Sequence, residues 1–455
     1  MNNLYIEEIK SLFLLDDNEL KEKILSYHPY ELSEALLELS KKERRKLYSI
    51  LSPKEISYSI SFLEIEDAFL LFNEMVPKYI VNIIQELDID DAVDLMQELD
   101  ESERAGYLKL MDEEHRRNIK ELLKYKDDTA GSIMNTDYIN IDVTDTVASG
   151  MKKLLEQAVT SATIYTIYIT NKNDKLLGTL SLREMILARK NELIKDIMNK
   201  RVVSVNTSKD QEEVAEIFKD YDFTSLPVVD NLNRLLGVIT VDDVIDVIEE
   251  ETLEDYSKFA AISDAEIDSD TETVLMGVKK RLPWLLVLSV LGFFTSTIIA
   301  QFEGTLDQIP TIALFMPMIL GMAGNTGTQS LAVTVRGLND GEFKTKASIT
   351  KHLLREIGTG FMNGILIGVI LFGVTYLFLS FNHNPEAFKI TQVVSLSIML
   401  SLAVSTLSGA LIPIIINSFK IDPAVASGPF VTMINDILAL SVYFTLATVL
   451  IINTL

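Results

Sequence analysis

Asp436 is a lone carboxylate in the last apolar stretch of the chain, GPFVTMINDILALSVYFTLATVLII. A charge at bilayer depth costs at least ~2.5–3.5 kcal/mol on insertion scales, so such a group faces a bundle interior or a wet path. Two readings follow, a carboxylate buried against a neighbouring helix or a ligand on a cation pathway. A second unusual run lies at 321–330, GMAGNTGTQS, where Asn325, Thr326, Thr328 and Gln329 fall within five residues beside three glycines. Polar side chains at that density are tolerated in lipid only where helices pack closely or line a cavity. Helix packing accounts for the glycines but not for Asn325, Gln329 and Asp436 together, which favours the cation path. The third run is acidic: Asp242, Asp243, Asp246, Glu249, Glu250, Glu251, Glu254 and Asp255, with no Lys or Arg before Lys258. On a helix many of these stand four apart and repel unless a cation intervenes. A solvated helix face is the competing reading.

The elements that position these residues divide sharply by charge. Residues 276–455 hold ten Lys/Arg and eight Asp/Glu, whereas 1–275 hold 31 and 58, a net of −27. So acidic a front half repels nucleic acid and anionic lipid and suits cations. The absence of cysteine excludes disulfides, thiolate metal sites and cysteine catalysis. The N-terminus has neither the basic start nor the apolar core of a signal peptide, so the front half is expected to be cytoplasmic. Five apolar stretches follow, at 282–300, 309–335, 357–381, 390–417 and 429–452, each near the 20 residues that span hydrocarbon. Lys279, Lys280 and Arg281 precede the first, and Arg336, Lys344, Lys346, Lys351 and Arg355 fill the link from second to third. The positive-inside rule then keeps the acidic half cytoplasmic and puts the C-terminus outside, and a multi-pass protein of the plasma membrane is the expectation.

Residues 1–130 show three- and four-residue apolar spacing throughout, with Ser- or Asp-led starts in ELSKKER and ELDESER, which predicts a superhelical array of short helical hairpins. Residues 131–250 contain an internal repeat. IMNTDYINIDVTDTV matches IMNKRVVSVNTSKDQEEV, and IYITNKNDKLLGTLSLREMI matches LPVVDNLNRLLGVITVDDVI. These copies, about 131–190 and 194–250, resemble tandem CBS domains of α/β type. In that family a Gly-led run ends a strand and opens a helix, its hydroxyl approaching phosphate and its Asp binding the ribose of an adenine nucleotide such as ATP. The second copy keeps that pattern through Thr240 and Asp243; the first has Glu184 in place of Asp. The resemblance implies one nucleotide site, while capping of the next helix by Thr240 is the simpler alternative.

The order of parts, with DDTAGSIM (127–134), GNTGTQS (324–330) and DPAVASGPFVTMIND (422–436), resembles the MgtE family of magnesium channels over essentially the whole chain. The resemblance implies a multidomain protein: an all-α N domain (1–130), tandem CBS domains (131–250), a connecting plug helix (251–278) and a five-helix transmembrane bundle (279–455). It implies a homodimer with its pore between the membrane halves, Asp436 holding the ion and Asn325, Thr328 and Gln329 lining the path. Some relatives carry Asn where this chain has Thr328. It also implies Mg2+ sensing by carboxylates matching Asp90, Asp91, Asp94, Asp210, Glu212, Asp222, Asp242, Asp243, Asp246, Glu251, Glu254 and Asp255, closing the channel when Mg2+ is plentiful. Mg2+ prefers oxygen ligands and sheds water reluctantly, which suits this donor set.

Transport of another divalent ion, such as Co2+ or Mn2+, would use the same architecture, but the membrane motifs lack the Cys and His that softer metals favour. A nucleotide- or metal-responsive sensor that passes no ion is the rival from another class. An intramembrane enzyme is rejected: aspartyl proteolysis needs paired carboxylates, and by sequence only Asp436 lies deep. His28, His115, His352 and His383 are scattered, three of them in stretches that read as solvated.

Overall fold

The computed structural model describes residues 3–159, 161–263, 273–343 and 345–451, so part of the connector expected at 251–278 lies outside the described residues. The chain forms two compact units, Met1–Ile248 and Glu249–Leu455.

Among the described residues the first unit opens with ten short helices, α1–α10, from Asn3–Leu12 to Glu113–Leu122. Their spacing follows from their caps. From α2 (Asp17–Ile24) onward the N-cap position recurs every 12 residues: Asp16, His28, Ser40, Ser52, Glu64, Val76, Asp88, Asp100 and Asp112. Six of the nine accept a backbone N–H through the side chain, a device that stabilises a helix start by about 1 kcal/mol. Asp88 does not, although it stands at the start of α8 (Ile89–Gln97). Alternate helices pack on one another, burying a continuous apolar core. Arg104 donates to the carbonyls of Met96, Gln97 and Leu99 at 2.6–2.8 Å, occupying acceptors that the end of α8 leaves unpaired.

Two α/β copies follow. The first contains β1 (Asn140–Asp142), α11 (Val147–Gln157), β2 (Thr166–Thr170), β3 (Leu176–Ser181), α12 (Leu182–Leu187) and α13 (Ile194–Ile197). The second contains β4 (Val205–Asn206), α14 (Gln211–Tyr221), β5 (Ser225–Val229), β6 (Leu235–Thr240) and α15 (Val241–Phe259). In each sheet the first strand is parallel to the second and the third antiparallel to it. The repeated Ile-Met-Asn explains how the copies hold one another. Asn135 pairs with Val238 on β6, and Asn199 with Thr179 on β3. A Cβ at Gly237 would lie 2.8 Å from the Asn135 carbonyl, and one at Gly178 would lie 2.9 Å from that of Asn199, so glycine is required at both crossings. Tyr168 completes the join by donating to Ser225 Oγ at 2.9 Å.

The second unit contains the remainder of α15, then α16 (Val274–Gln301), α17 (Glu303–Gln308), α18 (Met316–Asn339), α19 (Lys346–Phe381), α20 (Ala387–Ser418) and α21 (Gly428–Leu450). Of the five spans expected, four described helices are long and apolar enough to cross a membrane: α16, α19, α20 and α21. The stretch expected at 309–335 departs from this. A 3-10 turn at Pro310–Phe315 precedes α18, and the 24-residue helix is diluted by GNTGTQS, so composition alone does not mark it as a span. Nor does a separate helix begin at 251; α15 is continuous across that position. α20 is central, packing against α18, α19 and α21, and it passes closely over Gly360, Gly364 and Gly368 of α19.

Candidate functional site

In the first unit the carboxylates of α8 meet those at the start of α15. Asp90 is only 7 % exposed, and its Oδ1 accepts from Asn135 Nδ2 at 3.1 Å. Asn135 is itself fixed to β6, its N–H donating to Val238 O at 2.7 Å and its C=O accepting from Val238 N–H at 2.9 Å. Burial, then the charges of Asp243, Asp91 and Asp88, push the Asp90 carboxyl well above the usual range. Burial, then Asp88, Asp243, Asp94 and Asp246, push Asp91 up to about 8. Asp243 is pushed up to about 6, burial outweighing the hydrogen bonds it accepts from Thr240. Asp90, Asp91, Asp94, Asp242, Asp243 and Asp246 are thus brought into one electrostatic group, with Asp88 as a member that sequence reasoning missed. Its signal in the sequence was its place two residues before Asp90.

Among the described residues no three His, Cys, Asp or Glu side chains are grouped closely enough to hold a metal ion as they stand. Mg2+ commonly keeps several waters and takes one or two carboxylates, so the oxygen-only set fits a hydrated ion better than a stripped one. Three further expected sensors lie on or beside α14. Asp210 caps α14, accepting from the Glu212 N–H at 3.0 Å, and Asp222 ends that helix in the left-handed region at φ 52°. Glu212 lies in its first turn.

The two helix-opening motifs are local caps. Asp243 Oδ2 accepts from the Thr240 N–H at 3.1 Å and from the Thr240 hydroxyl. Ser181 and Glu184 form a reciprocal capping box in the first copy. Beside Ser181 a cavity of about 620 Å³ is lined by Tyr165, Thr166, Arg183 and, from the second copy, Thr224. Tyr165 offers an aromatic face and Arg183 a guanidinium. Neither was singled out by sequence, because only the fold brings them to one opening.

In the second unit Asn325 and Gln329, four residues apart on α18, are exposed, while Thr326 and Ser330 are buried. Thr328 Oγ1 lies 3.3 Å from Thr432 Oγ1, one turn before the half-buried Asp436 on α21. Asn435, fully buried, accepts from Ser408 Oγ and lies over Gly327, where any side chain would collide with it. The polar run and the carboxylate therefore share one close helix crossing. At the end of α15, Lys258 Nζ lies 2.7 Å from both Glu254 Oε1 and Asp422 Oδ2, and Asp255 Oδ2 accepts from Asn339 at 2.7 Å. Burial, then Asp422, raises the Asp255 carboxyl. Glu251 lies on the same helix. Two readings need correction. His352 is 3 % exposed rather than solvated, and Glu356, at 8 %, is a second carboxylate of the membrane half that is buried in the protein.

An acidic helical array, paired α/β copies and an apolar bundle with an amide-rich run beside a carboxylate are the parts of a divalent-cation transporter. The family model for the MgtE divalent cation transporter matches residues 316–446, the MgtE intracellular N domain matches 27–128, and CBS domains match 130–191 and 194–250. The chain is 39 % identical to the magnesium transporter MgtE of Enterococcus faecalis, over 95 % of this chain and 93 % of that one. It is 36 % identical to the protein of that name from Bacillus subtilis, over 98 % of each. The solved soluble part of a magnesium transporter matches at 41 % identity and TM-score 0.52, covering 54 % of this chain and 99 % of that one. The cytosolic domain of the Mg2+ channel MgtE in complex with ATP matches at 34 % identity and TM-score 0.50, covering 52 % and 97 %. The chain belongs to the MgtE family of divalent-cation transporters and is not an enzyme.

Proposed function

We propose that two copies of this chain form a Mg2+ channel in the plasma membrane, closed when cytoplasmic Mg2+ binds the carboxylates of α8 and α15. The observation that carries this reading is the split polarity of α18. Asn325 and Gln329 stand on an exposed face beside the crossing that holds Asp436. Amides directed at lipid would be costly, whereas a second copy facing them would enclose a wet path with oxygen donors and a carboxylate from each chain. Such a path passes a largely hydrated Mg2+ without binding it too tightly to release. The oxygen-only donor set favours hard cations such as Mg2+ over Co2+, and Mn2+ is the competitor that the flux assay must compare. In this reading α18 is the fifth span, the basic flanks keep the acidic half inside, and the C-terminus lies outside.

The gate follows from burial together with like-charge repulsion, which raise Asp90, Asp91 and Asp243. Without a counter-ion these groups favour separation; a hydrated Mg2+ between them favours closure. α15 carries Asp242 and Asp243 at its start and Asp255 and Lys258 near its end, so one helix links this event to the membrane half. An adenine nucleotide fits the Tyr165–Arg183 cavity better than the Thr240–Asp243 cap, whose donors and acceptors already satisfy one another. The ATP complex of the similar cytosolic domain supports that ligand.

The test is Mg2+ flux through purified protein in liposomes, with low or high Mg2+ on the cytoplasmic face. Wild-type flux suppressed by cytoplasmic Mg2+, and lost in Asp436→Asn, bears out pore and gate. A folded protein that passes no ion under either condition returns the sensor reading.

A further inference from the structure

α18 carries a second polar row, separate from the face that serves the proposed pore. Thr326, Ser330 and Thr334 follow one another at four-residue intervals and are 8 %, 2 % and 0 % exposed. Hydroxyls within apolar helices usually satisfy themselves on the carbonyl four residues back. Thr326 and Thr328 do so, at 2.7 and 2.8 Å. Ser330 does not. Its Oγ lies 2.8 Å from Glu356 Oε2 on α19 and 2.8 Å from the Thr406 carbonyl on α20. One turn further along, Thr334 Oγ1 lies 2.8 Å from His352 Nε2, also on α19. Arg355 in turn reaches His352 Nδ1 at 3.2 Å, and its Nε stands 4.0 Å from Glu356 Oε1.

Two ties one turn apart, both on the same face, fix a helix in rotation as well as in height. Gln329 precedes Ser330 directly, and successive residues on a helix differ by about 100° in direction. A rotation of α18 that broke the Ser330–Glu356 contact would swing Asn325 and Gln329 with it. We propose that Glu356, supported by His352, is a positioning residue for transport: it sets the rotation of α18 and so aims Asn325 and Gln329 into the ion path. This rests on the reading that the Asn325–Gln329 face lines the path. A buried carboxylate that merely held the bundle together would affect stability and the amount of folded protein. A positioning residue also changes how the path treats ions.

The experiment measures liposome flux against Mg2+ concentration, with Ca2+ as competitor, alongside thermal melting of each purified variant. The set is wild type, Glu356→Gln, Glu356→Ala, Ser330→Ala, the Glu356→Ala/Ser330→Ala double variant and Asp436→Asn. Glu356→Gln keeps an oxygen acceptor for Ser330 and is expected to retain the wild-type half-saturating Mg2+. Glu356→Ala and Ser330→Ala are each expected to raise it by about 3- to 30-fold and to weaken discrimination against Ca2+, the double variant shifting no further than the larger single change. Unchanged half-saturation and discrimination in folded Glu356→Ala or Ser330→Ala protein overturns the proposal, as does Glu356→Gln behaving like Glu356→Ala. If Glu356→Ala does not fold, Ser330→Ala, which removes only a hydroxyl, decides alone. Wild-type conduction by Asp436→Asn overturns the pore reading itself. Loss of flux there with normal ion handling in the other variants overturns only the role given to Glu356.

Discussion

Asp90 in the first unit and Glu356 in the second are buried to nearly the same extent, 7 % and 8 % exposed, yet their surroundings differ. Asp90 has one side-chain donor, Asn135, and faces the like charges of Asp243, Asp91 and Asp88. Glu356 faces a serine hydroxyl, with Arg355 as its charged neighbour. The first arrangement is electrostatically incomplete and responds to whatever neutralises it, protons or a divalent cation. The second has a hydroxyl and a cation beside it instead of like charges. Burial alone therefore does not mark a sensor; burial among like charges does.

The largest effect that sharpens this contrast is on pH. Asp91 and Asp243 have folded-state values raised to about 8 and about 6, so the folded chain holds protons that the unfolded chain has released. In Mg2+-free buffer the stability of the first unit should fall as pH rises from about 4 to about 8, by on the order of 3–5 kcal/mol, and Mg2+ should oppose the loss. Melting or limited proteolysis of the full chain across pH, with and without Mg2+, measures it. A flat profile breaks the comparison. Next, Asp91→Asn should remove much of that slope and stabilise the Mg2+-free protein near pH 8 by about 2–3 kcal/mol, while blunting the protection that Mg2+ gives.

In the second unit the corresponding sensitivity is steric. Gly327→Ala places a methyl group against Asn435, beside Asp436, and should cost about 1–3 kcal/mol with reduced flux at any pH, read by melting and liposome transport. The smallest change is Asp94→Asn. Asp94 is exposed and contributes less to Asp91 than Asp88 or Asp243 does, so melting in Mg2+-free buffer should move by no more than about 0.5 kcal/mol.

Much of the architecture was legible because it rests on periodicity. Apolar spacing marked the helical array, and the duplicated Ile-Met-Asn and Leu-Leu-Gly segments marked the paired copies. The polar run at 324–330 and Asp436 stood out because polarity is rare among apolar residues, and the structure brings their helices together at Thr328 and Thr432. Glu356 and His352 were hidden by their neighbours. They sit beside Lys351 and Arg355, at the edge of a span where charge is normal, and only the docking of Ser330 and Thr334 shows that they point inward. Asp210 and Asp222 are ambiguous for another reason, since both stand at the ends of α14. Carboxylates near helix ends serve both as caps and as metal ligands, and composition does not separate the two. The Tyr165–Arg183 opening was illegible for a third reason, since Thr224 reaches it from a distant part of the sequence.

The 12-residue recurrence of helix starts from Asp16 to Asp112 makes the N-terminal array a ruler with fixed graduations. Its length is quantised. Because alternate helices pack on one another, adding or removing one pair of graduations keeps the later faces in phase, whereas a single inserted residue puts them out of phase. Such a domain can lengthen or shorten over evolutionary time only in whole steps, and the step bearing Asp90 and Asp91 keeps its own geometry however many others precede it.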